Sequence, residues 1–166
     1  LSNEKVYIDD TAGLTPMQMR SRVRRIMLEK GLDLVIIDYL QLMGADGKSE
    51  NRQQEVSEIS RRLKAIALEL KIPILACAQL SRANTQRTVK RPMLSDLRDS
   101  GSIEQDADVV MFLHREAYYD QTSEETNTAE VIIAKQRNGP LGTVKLNWLS
   151  EFTLFEDMYT DDAVET

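Results

Sequence analysis

The sequence predicts an α/β protein with a mostly parallel sheet, flanking helices and a C-terminal antiparallel hairpin. Two apolar runs typical of buried strands, Leu34–Ile37 and Ile72–Ala78, lie on either side of a long helical pattern. A third apolar run follows at Val109–Leu113. Because strand–helix–strand crossovers are right-handed and give parallel pairing, we expect these three strands to share one sheet.

The first elements have clear starting and stopping residues. A short strand is predicted at Val6–Asp9. Thr15, Pro16 and Gln18 match a capping box with proline at the first helical position, so a helix should begin there. The glycine at Gly31 should end it, because glycine is the usual residue just after a helix.

The later elements follow from periodicity and turn chemistry. Apolar residues recur at spacings of three and four over Asn51–Lys71, which predicts a long amphipathic helix. The closing hairpin should pair Glu130–Lys135 with Thr143–Leu149 through the tight-turn sequence NGPLG. One domain is therefore expected at residues 1–155, and the acidic residues 156–166 are expected to form a disordered tail.

Composition narrows the possible function classes. Of the 166 residues, 42% are hydrophobic and 29% are charged, as in ordinary globular proteins, and no apolar run approaches the roughly 20 residues of a membrane span. The only cysteine, Cys77, lies in an apolar run and is predicted to be buried, which favours a reducing compartment, the cytoplasm. A net charge of −6 argues against wholesale nucleic-acid binding, although the basic segment Leu80–Arg98 permits a local phosphate contact.

A single carboxylate, Asp38, ends the first buried strand. Open α/β sheets bind their ligands at the carboxyl ends of their strands. In nucleotide-hydrolysing proteins an aspartate in this position holds the water shell of Mg²⁺, a cation that prefers oxygen ligands. Because the pattern is short, an alternative stays open: Asp38 is an ordinary polar residue at the end of a core strand.

A second short pattern, Gly47-Lys48-Ser49, resembles the end of a phosphate-binding P-loop. A full P-loop needs another glycine five residues before Gly47, and position 42 is Leu42. Gly44 is too close to supply the required wrap of backbone N–H groups. We therefore interpret residues 44–50 as a polar surface loop.

Five strings occur in a fixed order along the chain: IIDYLQLM, NRQQEVSEISRRLKAIALEL, PILACAQLSR, DLRDSGSIEQDADVVMFLHRE and IIAKQRNGPLGTV. Together they resemble bacterial replicative DNA helicases of the DnaB family, from about Val6 to Phe155. The resemblance implies a RecA-like motor domain that works with ATP and Mg²⁺ as a hexameric ring around single-stranded DNA. It also implies that the family's P-loop and catalytic glutamate precede Leu1, so that this chain is a partial domain, inactive by itself.

The resemblance assigns roles at the nucleotide. Asp38 matches the Walker B aspartate that positions Mg²⁺, and Gln79 matches the glutamine that contacts the γ-phosphate or the attacking water. Arg137 matches the arginine finger and Lys135 the lysine beside it, both acting on nucleotide held by the neighbouring subunit. An arginine suits this task because its planar fork stays charged. Alternate residues of a strand share a face, so Lys135 and Arg137 can be presented together.

The resemblance also assigns a DNA contact to one loop. Arg98, Asp99, Ser100 and Gly101 match the channel loop that grips phosphates with an arginine side chain and backbone N–H groups. Small residues let the main chain approach a phosphate closely. The family often has glutamate where this chain has Asp99. The alternative is a loop cross-linked by salt bridges.

Two function classes remain open. The first is part of an ATP-driven replicative DNA helicase. Its expected partners are single-stranded DNA, the other subunits of the ring and, beyond these, primase and a helicase loader. No membrane contact is expected. The second is a non-catalytic assembly or partner-binding module of the same fold, or another RecA-family ATPase. Nucleotide binding by the chain distinguishes these classes.

Overall fold

A computed structural model describes residues 5–47, 51–80, 90–100, 102–120 and 125–158. The chain divides into two compact units, residues 1–79 with 100–103 and residues 80–99 with 104–166. None of the described helices is both long enough and apolar enough to cross a membrane.

The helix bounds are α1 at Pro16–Lys30, α2 at Arg52–Leu70, α3 at Ile103–Asp106 and α4 at Glu116–Tyr119. The strand bounds are β1 at Val35–Ile37, β2 at Ile74–Ala76, β3 at Val109–His114, β4 at Thr128–Gln136, β5 at Gly142–Leu149 and β6 at Leu154–Asp157. Short 3₁₀ turns occupy Leu40–Leu42, Leu94–Ser100 and Ser150–Phe152.

The ends of α1 are those that the sequence predicts. The Thr15 hydroxyl accepts from the backbone N–H of Gln18 at 3.4 Å, and the Gln18 side chain accepts from the N–H of Thr15 at 3.0 Å. The helix ends at Gly31, whose φ of 76° is a conformation that a side chain disfavours.

The predicted strand at Val6–Asp9 is wrong: residues 5–9 form no helix or strand. Instead, the Arg22 guanidinium binds the Asp9 carboxylate at 2.5 Å, and this hydrogen bond, together with those from Thr11, lowers the Asp9 pKa to about 2.

The long helix α2 organises the core of the first unit. Its first turn is capped by Asn51, whose side chain accepts from the N–H of Gln54 at 2.9 Å, and it ends at Lys71 in the left-handed conformation. The predicted amphipathic face is confirmed, because its apolar residues are buried. The core cluster of this unit contains Met19, Val23, Leu40, Met43, Val56, Ile59, Leu63 and Ile66.

Strands β1 and β2 are parallel neighbours, as the crossover pattern predicts. Val35 lies opposite Ile74 and Ile37 lies opposite Ala76, and all four are partly buried against the core. Alternate residues of a strand point to opposite faces, so this register places one face of the pair on the helical core.

The other face of the pair differs from the prediction. Ile36 is 61% exposed and Leu75 is 43% exposed, and the predicted burial of Cys77 is also wrong because Cys77 is exposed. A strand formed by an apolar run is buried on both faces only where a second layer of structure covers its second face. Within the described residues of this unit, only the face that carries Val35 and Ile37 packs on the core cluster.

The second unit contains a four-stranded antiparallel sheet in the order β3-β4-β5-β6. The predicted hairpin of β4 and β5 is confirmed, with Val131 opposite Val144. The expectation that Val109–Leu113 joins the parallel sheet is wrong: this strand pairs antiparallel with β4, with His114 opposite Glu130. Residues 154–157 add β6, so the predicted start of the disordered tail at residue 156 is wrong. Residues 159–166 lie outside the described part, and disorder there stays a prediction.

We predict that Ile59→Ala lowers the free energy of unfolding of this chain by about 2–5 kcal/mol, because Ile59 is 1% exposed at the centre of the core. Leu68→Ala is the matched control on the same helix: Leu68 is 66% exposed, and its effect should stay within about 0.5 kcal/mol. Urea unfolding followed by circular dichroism measures both changes. Equal effects of the two substitutions would contradict the assigned core face of α2.

Candidate functional site

The carboxyl ends of β1 and β2 form the first part of the site. Backbone pairing continues past both strands, because the N–H of Cys77 donates to the carbonyl of Ile37 at 2.9 Å and the N–H of Leu40 donates to the carbonyl of Cys77 at 2.8 Å. Asp38 follows β1 directly, and Gln79 lies three residues after β2. The parallel pairing therefore brings both predicted residues to the same edge.

An open pocket of 340 Å³ lies at this edge, near the lower end of the range for small-molecule sites. Sequence reasoning identified two of its lining residues and missed three. The lining residues are Asp38, Tyr39, Cys77, Ala78 and Gln79. The position of Cys77 beside Asp38 could have been anticipated only by aligning the two strands, because the residues are far apart in the sequence.

Asp38 is the hard-cation ligand that this pocket offers. Within the described ranges, no group of three or more His, Cys, Asp or Glu side chains is arranged to hold a metal ion. Mg²⁺ commonly keeps several waters and takes one or two carboxylates together with substrate phosphates. A single exposed carboxylate beside an open pocket fits such an ion, with water and phosphate completing the shell.

The backbone of Gln79 is fixed by a side chain that the sequence analysis did not single out. The Gln41 amide donates to the carbonyl of Gln79 at 3.1 Å and accepts from its N–H at 3.2 Å. Gln41 belongs to the 3₁₀ turn that follows Asp38. No sequence signal marks this contact beyond the polar position between Leu40 and Leu42.

Lys135 and Arg137 lie at the end of β4, in the second unit, and contact the same segment, residues 104–108. The Lys135 ammonium donates to the carbonyls of Glu104, Gln105 at 3.4 Å and Ala107 at 2.8 Å. The Arg137 guanidinium donates to the carbonyl of Gln105 at 3.0 Å. It also pairs with a carboxylate oxygen of Asp108 at 3.5 Å. The two cations therefore share a face, and their action on a nucleotide stays a prediction.

The predicted DNA-contact residues are only partly described. Arg98, Asp99 and Ser100 end the 3₁₀ turn Leu94–Ser100, but their side chains, and Gly101 as a whole, lie outside the described residues. The start of the turn is held by Asp96, whose carboxylate accepts from the N–H of Met93 at 2.9 Å. The DNA assignment stays a prediction.

The basic segment before this turn is described only at its end. Arg91 forms an ion pair with Glu130 of β4 and donates to the hydroxyl of Thr143 in β5 at 3.2 Å. This cation therefore binds the sheet, which agrees with the salt-bridged alternative at that residue. Arg82 and Arg87 lie outside the described residues.

Open α/β proteins bind their ligands at the carboxyl ends of parallel strands, so the edge that carries Asp38 and Gln79 is the candidate ligand site of the first unit. The family described as the DnaB-like helicase C-terminal domain matches residues 1–157. The replicative DNA helicase DnaC of Bacillus subtilis (strain 168) is 56% identical over 166 residues, which are 98% of this chain and 37% of that relative. The chain therefore belongs to the DnaB-like helicase C-terminal domain family.

Two solved structures have the same fold. One, described as an ATPase domain, gives a TM-score of 0.90 at 46% identity, covering 95% of this chain and 56% of that chain. The other is described as a DnaB-like replicative helicase and its interactions with primase. It also gives a TM-score of 0.90 at 46% identity, covering 95% of this chain and 39% of that chain. The expected RecA-like α/β class is confirmed. The chain spans about a third of the length of the curated relatives it matches.

We predict that Lys135→Met lowers the free energy of unfolding by about 1–3 kcal/mol, because it removes a charged donor shared by three backbone carbonyls. The control is Lys145→Met on β5, whose exposed ammonium pairs with Glu125 at 3.3 Å and should contribute less than about 1 kcal/mol. Urea unfolding of the two variants tests the difference. Indistinguishable effects would mean that the carbonyl contacts of Lys135 do not stabilise this unit.

Proposed function

We propose that this chain is part of an ATP-dependent replicative DNA helicase that unwinds duplex DNA by moving along single-stranded DNA as a ring of six subunits. The main support is the meeting of Asp38 and Gln79 at one edge of a parallel strand pair, in a chain of the DnaB-like helicase family. In this proposal ATP and Mg²⁺ are the cofactors, and the cytoplasm is the location.

The proposed role of Asp38 is to hold Mg²⁺, through water, against the phosphates of ATP. Asp38 is the side chain that would hold the water shell of the ion, and the bound ion would supply positive charge that offsets the negative charge of the phosphates. A carboxylate at the strand end keeps its position because the β1 backbone is paired with β2 immediately before it. Asp38 thus supplies a fixed negative charge where the phosphates would enter the pocket.

The proposed role of Gln79 is to contact the γ-phosphate or the attacking water. An amide can donate to a phosphate oxygen and accept from water, and it carries no charge that would repel the phosphate. Gln79 is exposed and lines the pocket together with Asp38, which leaves its side chain accessible to a ligand there.

Arg137 is proposed as the finger that reaches the nucleotide of a neighbouring subunit. Its partners, the carbonyl of Gln105 and the carboxylate of Asp108, are near the surface, and both side chains of the ion pair are about half exposed. Exposed pairs contribute little to stability, so exchanging them for phosphate oxygens costs little. Lys135, with three carbonyl acceptors, is proposed to act beside it.

The remaining proposed contacts are with DNA and partner proteins. Arg98, with the backbone of Asp99, Ser100 and Gly101, is proposed to grip phosphates of single-stranded DNA. Because the description of a related helicase structure names its interactions with primase, we propose primase as a partner of the parent protein. A helicase loader is proposed as a second partner on the family resemblance alone.

We predict that Arg137→Ala in the parent ring lowers the rate of ATP hydrolysis by about 10³-fold or more. Nucleotide affinity should change little, because a finger acts mainly on the transition state. Steady-state hydrolysis and equilibrium binding of ATP measure the two effects. Arg25→Ala on the exposed side of α1 is the control for removal of a surface arginine, and it should hydrolyse ATP at the wild-type rate.

Full hydrolysis by the Arg137→Ala ring would refute the finger. If the parent protein binds no nucleotide at all, the non-catalytic assembly module becomes the better description of this fold. A ring that mixes Arg137→Ala subunits with Asp38→Ala subunits should recover part of the activity, because some interfaces then contain both intact residues.

We predict that Arg98→Ala in the parent ring weakens binding of single-stranded DNA by a similar factor for all base sequences. The slope of log affinity against log salt should fall in magnitude by roughly 0.7 for each phosphate that the variant no longer neutralises. Arg98→Lys keeps the charge and should lie between the wild type and the alanine variant. Weaker binding of only some sequences, at an unchanged salt slope, would show that Arg98 reads bases and not the backbone.

A further inference from the structure

The side chain of Gln41 is bound to both backbone polar groups of Gln79. Its amide nitrogen donates to the Gln79 carbonyl at 3.1 Å, and its amide oxygen accepts from the Gln79 N–H at 3.2 Å. The two residues are 38 positions apart in the sequence. Two antiparallel bonds of this kind fix both the position and the orientation of the peptide groups that they join.

The pairing of β1 and β2 explains why a side chain is needed at this point. A continued ladder would offer the carbonyl of Tyr39 to the N–H of Gln79. That carbonyl instead accepts from the N–H of Leu42 at 2.9 Å, because the chain turns into the 3₁₀ segment Leu40–Leu42. The Gln41 amide takes the place of the missing backbone group, and the ladder is in effect extended to Gln79.

Gln41 is itself held firmly enough to act as a support. Its neighbour Leu40 is 3% exposed in the core, and the Leu40 N–H donates to the carbonyl of Cys77 at 2.8 Å. The Arg52 guanidinium binds the Gln41 carbonyl and also pairs with Glu55 in the first turn of α2. The turn that carries Gln41 is therefore tied to β2 and to α2.

We propose that Gln41 is a positioning residue for nucleotide hydrolysis. It fixes the backbone of Gln79, and Gln79 in turn acts on the γ-phosphate or the attacking water. This inference rests on the proposed function of Gln79. The side-chain amide of glutamine carries its donor and acceptor in the same arrangement as a peptide group. Leucine therefore provides neither bond, and asparagine provides the same groups on a shorter stem.

The expected effect is on turnover and not on substrate binding. Gln79 is proposed to act at the transferring phosphoryl group, and misplacing such a group lowers kcat with little change in KM. Removing an outer-shell partner of a metal ligand typically changes metal affinity or activity by about 10- to 100-fold, and we take the lower end of this range for a contact that acts through a backbone. We expect Gln41→Leu to lower kcat about tenfold and to leave KM for ATP within about twofold.

The experiment is a double-mutant cycle in the parent protein, with Gln41→Leu, Gln79→Ala and the double variant, measured by single-turnover ATP hydrolysis. If Gln41 acts through Gln79, adding Gln41→Leu to Gln79→Ala should lower the rate no further. Gln41→Asn should retain more activity than Gln41→Leu, and it replaces Gln41→Leu in the cycle if that variant does not fold. Gln53→Leu, at an exposed glutamine of α2, is the control and should keep wild-type kinetics.

Two results would overturn the inference. One is an equal tenfold decrease from Gln41→Leu with and without the Gln79 side chain, which shows that Gln41 acts elsewhere. The other is full activity of Gln41→Leu while Gln79→Ala is impaired. If Gln79→Ala itself hydrolyses ATP at the wild-type rate, the proposed role of Gln79 fails, and this result is distinct from both of the others.

Discussion

The parallel pairing of β1 with β2 is the constraint on which the candidate site depends. The register places Val35 and Ile37 on the core, and a slip by one residue would turn both side chains away from it. Burial of this face therefore selects one alignment of the two strands. The same alignment brings Asp38 and Gln79 to one edge, so that core packing determines the geometry of the pocket.

The elements that depend on local sequence could be predicted, and the choice of strand partner could not. The capping box at Thr15 and the apolar periodicity of α2 act within a few residues, and both are confirmed. An apolar strand pattern such as Val109–Leu113 does not say which strand lies beside it, and in β3 only alternate residues of this run are buried. For the same reason the exposure of Ile36 and Cys77 could not be anticipated, because it depends on whether another layer covers them.

The candidate site was predictable to a similar degree. Asp38 and Gln79 each follow a predicted parallel strand, and the rule that such strands bind ligands at their carboxyl ends brings them together. Gln41 could not be found in this way, because its contact depends on a 3₁₀ turn that directs a side chain across to the neighbouring strand. A residue that supports another through the backbone leaves no distinctive pattern in a single sequence.

Lys135 and Arg137 show how two neighbouring cations can differ in what they are able to do. Lys135 satisfies three carbonyls of residues 104–107, so removing its ammonium would leave backbone acceptors without their donor. The partners of Arg137 are more exposed, and water can replace them at little cost. The lysine is therefore suited to hold residues 104–107 in place. Arg137, on the same segment, can exchange its partners for phosphate oxygens at less cost than Lys135, whose proposed action beside it would have to compete with these carbonyl contacts.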